Sequence, residues 1–376
     1  MASSLPATMR AVVQTAPNQT AIETVPLPKV EYGSALVKLD VTLINANFKN
    51  ILEAAYELYR LPYPIIPGSF GIGRIVALGP DATTLKEGQL VMVSAFTRAR
   101  DNPSVHVITG VTTGFSTASQ GLYQALSRSG FLAEYVPAPL ENIFRLDEAR
   151  LFGKPESGGL GSSPGELVGL AADSIVYAAM RGIALQAGER VVITPATGHY
   201  SSAAVKVAVA LGLRVVAASR GAAGLAQLKE TFPRSVETVQ LTGDVAVDGA
   251  ALRAFGPVDA VVDVSPPAAT GATNLAAALS VLGDRGRVTL VGGRGDETLP
   301  IPYATVVLNG LTIKGSYMYW REDVEGVIRL AEAGLLKLGK MAGHVVHGAY
   351  SLDEYQAAVD KAAENPGPGA LFYIKH

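Results

Sequence analysis

Between residues 10 and 150, short hydrophobic runs alternate with glycine and proline. These runs are rich in β-branched residues and few have helical spacing; clear examples lie at 11–13, 35–41, 73–79 and 89–93. Several short strands bounded by turn residues are typical of a β-barrel or sandwich, so this part predicts a β-barrel-like domain. The segment 98–129 is rich in Thr, Ser and Gly without clear periodicity, and we expect a long, partly irregular excursion there.

A second pattern begins after residues 156–163, a run of small residues that indicates a surface loop. A helical segment is predicted at 165–185, and strands then alternate with helices. The strands are predicted at 190–194, 214–218, 238–241, 260–264, 287–291 and 312–315, with crossover helices that include 202–211 and 273–282. This alternation predicts a parallel sheet with helices on both faces, the doubly wound α/β architecture.

The tail beyond residue 316 has helical spacing at 321–333 and 352–363 and a last strand at 370–375. It is too short to form a domain of its own, so we expect it to return to the first one. The predicted organisation is therefore a β-rich domain formed by residues 1–160 and 316–376, interrupted by an α/β domain formed by residues 161–315.

Composition narrows the classes of function. The net charge of −2 gives no basic field that would attract nucleic acid or a membrane surface. No apolar run reaches the roughly 20 residues that a membrane-spanning helix needs, and the first residues lack the pattern of a secretory signal. We expect a cytoplasmic enzyme or binding protein whose partner is a small molecule.

The 376 residues include no cysteine and 5 histidines. The absence of cysteine excludes disulfides, thiol nucleophiles and Cys-based zinc sites. His344 and His347 are three apart, but they lie in a strand-like stretch where their side chains would point to opposite faces. We therefore expect no metal site.

The first predicted strand of the α/β domain ends in a loop of small residues that opens into an Ala/Val-rich helix. Such a helix start offers unpaired backbone N–H groups and a partial positive charge, which is where a dinucleotide pyrophosphate binds. The Gly-x-Gly-x-x-Gly pattern is incomplete, because Ala196 and Ser201 stand at two glycine positions and Gly198 alone remains. A turn that only packs a helix on a sheet is the alternative. The candidate binding residues are Thr197, Gly198, His199, Tyr200 and Ser201.

Four local stretches, 43–50, 67–76, 313–316 and 350–354, together with the interrupted domain order, resemble the medium-chain dehydrogenase/reductase superfamily. The text Asn47-Phe48-Lys49-Asn50 is similar to that of its zinc-free branch, the quinone oxidoreductases and enoyl reductases. This resemblance implies a GroES-like barrel domain for substrate and a Rossmann domain for a nicotinamide cofactor.

The positions at which this chain departs from the family pattern also indicate the zinc-free branch. The positions matched to the zinc ligands Cys, His and Glu hold Asn47, Ser69 and Phe70, and the four-Cys lobe of zinc members is missing. The resemblance therefore implies chemistry without catalytic zinc. Asn50 replaces an Asp of the family pattern, which puts any role of that carboxylate in doubt.

The preferred cofactor is predicted from the end of the second strand. An enzyme that uses NAD places Asp or Glu there for the ribose hydroxyl, whereas this chain has Ser219 and Arg220, which would hydrogen-bond and pair with a 2′-phosphate. We therefore predict that the cofactor is NADPH. The alternative is that Arg220 is only a solvated side chain at a strand end. We expect Lys206, in the helix that follows the loop, on the surface. By resemblance, Ser265, Gly292 and Gly293 also lie along the cofactor, although turn residues are common at strand ends.

Without zinc, hydride transfer depends on orientation and on hydrogen bonds to the substrate oxygen. The candidate donors are Asn47, Lys49 and Tyr56; Lys49 could instead remain on the surface, and Tyr56 or Tyr59 could serve only packing. We expect an NADPH-dependent reductase of an activated alkene, an enone, enal or quinone. A ketone or aldehyde reductase, an alcohol dehydrogenase and a non-catalytic NADPH-binding protein remain alternatives. By analogy with the family, two copies would pair through the sheet edge near 312–315.

Overall fold

The structure is a computed structural model that describes residues 5–126, 129–293, 298 and 301–376. The chain forms two compact units. The N-terminal unit contains the residues up to Val168 together with Val346–Pro366 and Ala370–His376, and the central unit contains Gly169–Val345 and Gly367–Gly369.

The N-terminal unit is built from short strands, as the hydrophobic pattern predicts. Its elements up to residue 168 are β1 (Thr8–Ala16), β2 (Gln19–Pro26), β3 (Ser34–Ile44), α1 (Phe48–Leu52), β4 (Phe70–Leu78), β5 (Leu90–Ser94), β6 (Phe96–Arg98), β7 (His106–Ile108), α2 (Thr117–Ala125), β8 (Tyr135–Pro139), β9 (Ile143–Arg145), α3 (Glu148–Phe152) and α4 (Pro164–Leu167). The long strand β3 is central, because it pairs antiparallel with β4 on one side and with β8 on the other. Its inward side chains pack against those of β4 and β5 in a buried core.

The central unit alternates strands and helices. Its elements are α5 (Leu170–Gly182), β10 (Arg190–Thr194), α6 (His199–Ala210), β11 (Arg214–Ser219), α7 (Ala222–Thr231), β12 (Val236–Gln240), α8 (Val245–Arg253), β13 (Val258–Asp263), α9 (Asn274–Leu279), β14 (Leu282–Leu290), α10 (Tyr303–Leu308), β15 (Thr312–Gly315) and α11 (Arg321–Glu332). The strands form a parallel sheet in the order β12-β11-β10-β13-β14-β15. The chain moves outward from β10 and then returns to β13, so the carboxyl ends of these two strands form the switch point at which such sheets bind ligands.

The last part of the chain contains β16 (Val345–Tyr350), α12 (Tyr355–Glu364) and β17 (Ala370–Lys375). Strand β17 pairs antiparallel with β3 and extends the sheet of the N-terminal unit, whose order is β16-β17-β3-β4-β5-β9. Helix α12 packs its buried face on this sheet beside α1. The predicted return of the chain to the first domain is thus observed, and the two-part α/β architecture is confirmed.

The unit boundaries differ from the predicted ones at 161 and 316. Helix α11 belongs to the central unit because it packs tightly on α5; a Cβ on Gly326 would lie 2.7 Å from the Tyr177 ring. The chain therefore returns at residue 346 rather than at 316. Helix α4 stays in the N-terminal unit, since a Cβ on Gly165 would lie 2.3 Å from the ring of Tyr373 on β17.

The excursion 98–129 is more ordered than the sequence suggested. It contains β7, which pairs with β6, and helix α2, whose first turn is capped by the Ser116 hydroxyl accepting from the Ser119 N–H. Residues 127 and 128 of this excursion lie outside the described residues. Across the described part of the chain, no helix combines the length and apolar character needed to cross a membrane.

Candidate cofactor and catalytic sites

The loop between β10 and α6 has the geometry of a phosphate-binding turn. Gly198 is the N-cap of α6, and His199, Tyr200 and Ser201 form the first turn of the helix. The Ser201 hydroxyl accepts a hydrogen bond of 3.2 Å from the Gly198 N–H, so Ser201 closes the loop from the inside. The first backbone N–H groups of a helix have no acceptor within the helix, which suits an anionic pyrophosphate.

The end of β11 lies beside this loop. Ser219 is buried, and its hydroxyl is 2.8 Å from the Thr197 hydroxyl, so Ser219 holds the loop against β11 rather than facing solvent. Arg220 is exposed and lines a cavity of about 320 Å³ at the carboxyl ends of β10, β11 and β13. The cavity walls also include Pro195, Leu241 and Pro266. The described part of the cavity therefore offers one cationic side chain and mostly apolar surface, which suits an adenosine group.

The far wall of this cavity is fixed by a buried polar network. Ser265 is fully buried, and its hydroxyl donates to the carboxylate of Asp263 at the end of β13. The Asn274 amide donates to the hydroxyls of Ser265 and of Thr194, both at 3.2 Å. Ser265 thus positions the loop that follows β13 from inside the protein, and its side chain does not line the cavity.

The two glycines after β14 have different surroundings. A Cβ on Gly292 would lie 1.9 Å from the Ser265 carbonyl oxygen, so glycine is needed for the close approach of two strand ends. At Gly293, at the same edge, none of the described residues beyond its chain neighbours has an atom within 4 Å of such a Cβ. Gly292 therefore has a packing role, and Gly293 is the more open of the two candidates.

In the N-terminal unit, Asn47 lies at the centre of a chain of side-chain hydrogen bonds. Its amide nitrogen donates to the Tyr59 hydroxyl at 2.7 Å, and its amide oxygen accepts from the Asn50 amide at 2.9 Å. Burial raises the pKa of Tyr59, an effect that the Asn47 hydrogen bond partly opposes. The Tyr59 phenol therefore stays protonated at neutral pH and keeps its own hydrogen to donate.

The other two predicted donors, Lys49 and Tyr56, have different contacts from Asn47. The Lys49 ammonium is 2.9 Å from the Asp360 carboxylate on α12, and both side chains are almost half exposed. Tyr56 is 43% exposed and lies edge-on to the Tyr59 ring at 5.7 Å. The structure thus assigns Lys49 to a surface ion pair. It joins Tyr59, rather than Tyr56, to Asn47.

Two of the three residues at the positions matched to zinc ligands, Asn47 and Phe70, do not fit a zinc site. Phe70 begins β4 and is 3% exposed in the core, and Asn47 is engaged with Tyr59 and Asn50. Among the described residues, no group of three or more His, Cys, Asp and Glu side chains comes together in a way that could hold a metal ion. Zinc needs deprotonated N, O or S ligands, which a phenyl ring and a neutral amide pair do not supply.

Sequence reasoning was wrong about Lys206. This residue is 3% exposed, and its ammonium is 2.8 Å from the carboxylate of Asp173 on α5 and 3.0 Å from Nε2 of His344. A signal was present, because α6 is rich in Ala and Val on every side and a helix of that kind is usually buried. A lysine within it therefore needed a buried partner.

Two family models match the chain, in the order that the fold displays. The model "Alcohol dehydrogenase GroES-like domain" matches residues 32–148, and the model "Zinc-binding dehydrogenase" matches residues 201–333. The chain belongs to the medium-chain dehydrogenase/reductase superfamily. Membership of this superfamily makes the protein an oxidoreductase and implies a nicotinamide cofactor, for which the loop at Gly198 provides a fitting site.

Similar proteins include several that are named alcohol dehydrogenases and one that is named an acryloyl-coenzyme A reductase. An alcohol dehydrogenase of Rhizobium meliloti is 27% identical over 349 residues, covering 89% of each chain. An acryloyl-coenzyme A reductase of Sulfurisphaera tokodaii is 22% identical over 351 residues, covering 92% of this chain and 93% of the relative. A solved structure from E. coli CFT073, described as a short chain alcohol dehydrogenase in complex with NADH, shares the fold with a TM-score of 0.76 at 16% identity. The match covers 99% of this chain and 100% of that one.

Proposed function

We propose that this superfamily member is a zinc-independent, NADPH-dependent oxidoreductase that transfers hydride to an activated alkene such as an enone, enal or quinone. The observation that carries the proposal is the hydrogen-bond chain Asn50–Asn47–Tyr59, whose central residue Asn47 stands at one of the three positions matched to zinc ligands. It offers a neutral donor for a carbonyl oxygen instead of a Lewis acid.

The chemistry follows from these side chains. A reduced nicotinamide held at the Gly198 loop would be the source of the hydride for the β-carbon of the alkene. The Tyr59 hydroxyl, which accepts from Asn47, donates its own hydrogen to the substrate carbonyl oxygen, where negative charge accumulates. Asn50 fixes the orientation of the Asn47 amide, and so fixes Tyr59 in turn. The resulting enolate then takes a proton at its α-carbon from water.

The preference for NADPH rests on Arg220. Its exposed guanidinium lines the adenosine-sized cavity, and the strand end that holds it carries no carboxylate for a ribose hydroxyl. A guanidinium pairs strongly with a phosphate dianion. Ser219 supports this arrangement from below through its bond to Thr197.

The test uses the purified full chain with NADPH and a panel of enones, quinones, ketones and aldehydes. For enones and enals we expect loss of the alkene chromophore with retention of the carbonyl group, and for quinones formation of the hydroquinone. The rates should be unchanged after dialysis against a chelator. Alcohol products or activity that depends on added zinc would contradict the proposal. Cofactor binding without turnover on any substrate would favour a non-catalytic protein.

A reductase of ketones or aldehydes is the second candidate, favoured by the alcohol dehydrogenases among the relatives. The same Tyr59 donor would then polarise the carbonyl whose carbon receives the hydride. The acryloyl-coenzyme A reductase supports the first candidate, because that relative is named for an alkene substrate. Product analysis separates the two, since one yields a saturated carbonyl compound and the other an alcohol.

A homodimer is also proposed, through the edge of the central sheet. Strand β15 ends the strand order of the described sheet, and the neighbouring helix α10 exposes Tyr303, Val307 and Leu308 by 82%, 60% and 81%. Exposed apolar side chains beside an open strand edge favour pairing with a second copy. Light scattering of the wild type and of Leu308→Glu tests this, with a monomeric wild type as the contrary result.

A further inference from the structure

A buried ionic cluster lies within the central unit, outside the residues assigned so far. Lys206 on α6 bonds Asp173 on α5 at 2.8 Å and His344, which precedes β16, at 3.0 Å. The exposed fractions are 3% for Lys206, 0% for Asp173 and 9% for His344. Three separate chain segments therefore meet at one ammonium group.

The protonation states within the cluster follow from burial. Burial raises the pKa of Asp173, and the charge and hydrogen bond of Lys206 oppose that rise. Burial also lowers the pKa of His344 well below its usual value, and repulsion from Lys206 and His199 adds to the effect. His344 is therefore neutral. Because an ammonium can only donate, Nε2 accepts and the imidazole hydrogen lies on Nδ1.

Stability alone does not account for such a cluster. Taking charged groups out of water is costly, and apolar residues of similar volume often give equal or greater stability. What the cluster does fix is geometry, since each hydrogen bond requires one distance and one direction. The element it fixes is α6, the helix whose first turn forms the candidate pyrophosphate site.

A second set of bonds holds the same face of α6. Ser202 lies one turn before Lys206, and its hydroxyl accepts from the Gly369 N–H at 3.3 Å. The Gly369 carbonyl accepts from the Val345 N–H at 2.9 Å, next to His344. A Cβ on Gly369 would lie 2.1 Å from the Gly343 carbonyl oxygen, so these segments are in close contact. Gly369 and the Gly343–Val345 segment are thus both bound to α6, within two turns of its first residue.

We infer that Asp173, Lys206 and His344 are positioning residues for the dinucleotide: the cluster sets the place of the α6 N-terminus against α5 and against the Gly343–Val345 segment, and so sets cofactor affinity. This inference rests on dinucleotide binding at α6, as the proposed function requires. None of the three side chains needs to touch the cofactor. The cluster acts through the backbone N–H groups of the first helical turn.

The test replaces the cluster by apolar residues in the double variant Asp173→Val with Lys206→Met. No buried charge is left unpaired, so folding is largely retained. We expect the Kd for NADPH to rise at least about fivefold, and the KM for NADPH to rise with it, while kcat changes less than about twofold, because a small displacement of binding groups weakens binding out of proportion. Fluorescence titration and steady-state kinetics measure these quantities.

A matched control lies in the same unit, at the amino ends of the strands. Glu189 and Arg287 form a partly buried ion pair of 2.6 Å, and we expect Glu189→Gln with Arg287→Met to leave the Kd for NADPH unchanged. Wild-type affinity in the cluster variant, or an equal loss in the control variant, would overturn the inference.

A milder pair of variants keeps the test decisive if the double variant folds poorly. His344→Gln retains an acceptor for Lys206, whereas His344→Phe does not. We expect the Gln variant to bind NADPH as the wild type does and the Phe variant to bind at least about threefold more weakly, as for the loss of one hydrogen bond. Equal affinity of the two would refute the inference. A wild-type protein that binds neither NADPH nor NADH would instead refute the proposed function, and the inference that depends on it.

Discussion

The two candidate sites differ in the part of the chain that supplies their chemistry. At the start of α6 the backbone does so, through N–H groups that exist whatever the side chains are. Around Asn47 the side chains do so, through the bonds to Tyr59 and Asn50. A backbone site survives the loss of two fingerprint glycines. A side-chain site changes its chemistry when its residues are replaced, and the proposed function depends on such a replacement at Asn47.

The largest expected effect is on stability, and it concerns the buried Lys206–Asp173 ion pair that anchors α6. Lys206→Met leaves the Asp173 carboxylate buried without its counter-charge, and we expect a loss of about 3–5 kcal/mol in the free energy of unfolding. Urea denaturation measures it. Lys49→Met removes an exposed ion pair and should cost far less. Similar losses in both variants would contradict the difference in burial.

The next effect tests the side-chain site. Tyr59→Phe removes the hydroxyl but retains the ring, and we expect kcat/KM for an enone to fall about 100-fold, as for the loss of one oxyanion donor. Tyr56→Phe is the matched control and should change kcat/KM less than about twofold, as for a partly exposed ring without that role. A larger loss of kcat/KM in Tyr56→Phe than in Tyr59→Phe would instead favour Tyr56, the donor predicted from sequence.

A smaller effect concerns the cofactor. Arg220→Ala removes the cationic side chain at the cavity, and we expect the Kd for NADPH to rise about 10- to 30-fold, in line with the loss of a charge-assisted hydrogen bond. The Kd for NADH should change little, because NADH lacks the 2′-phosphate. Equal losses for both cofactors would show that Arg220 acts on a group that they share.

The smallest expected effect is on the pH dependence of stability. It arises from two histidines whose pKa is lowered by burial, His376 in the N-terminal unit and His344 in the central unit. Burial lowers the pKa of His376 to about 4, and His344 is lowered well below its usual value. Unfolding therefore takes up protons once the pH falls below about 6.5, so stability declines as pH falls. His376→Gln can keep the bond to Thr42, and should reduce the decline between pH 7 and 5.5 by about 1 kcal/mol. An unchanged pH profile would indicate that His376 is accessible to protons in the folded state.

The strand at 190–194 was predictable to the residue because a buried parallel strand is a continuous hydrophobic run bounded by turns. The exposed edge strand at 312–315 was also placed to the residue, from the regular alternation of strands and helices. The ion pairs between residues far apart in the chain could not be predicted from sequence. Lys206 finds Asp173, and Lys49 finds Asp360, through packing that no local pattern records. The sequence also did not show which of Tyr56 and Tyr59 bonds to Asn47, because Tyr56 has an extended backbone before the 3₁₀ turn Glu57–Tyr59 and no regular spacing relates the two side chains.

The hydroxyl of Ser201 has a consequence for binding strength. Its bond to the Gly198 N–H means that this donor already has an acceptor before any phosphate arrives. A ligand that recruits the Gly198 N–H must displace the hydroxyl, so its gain there is a difference between two hydrogen bonds rather than the worth of a new one. A chain with glycine at 201 would hold that donor in reserve. In this chain the Ser201 hydroxyl and a bound phosphate would compete for the same N–H group. The hydroxyl orders the loop, and this order lowers the gain from binding a phosphate there.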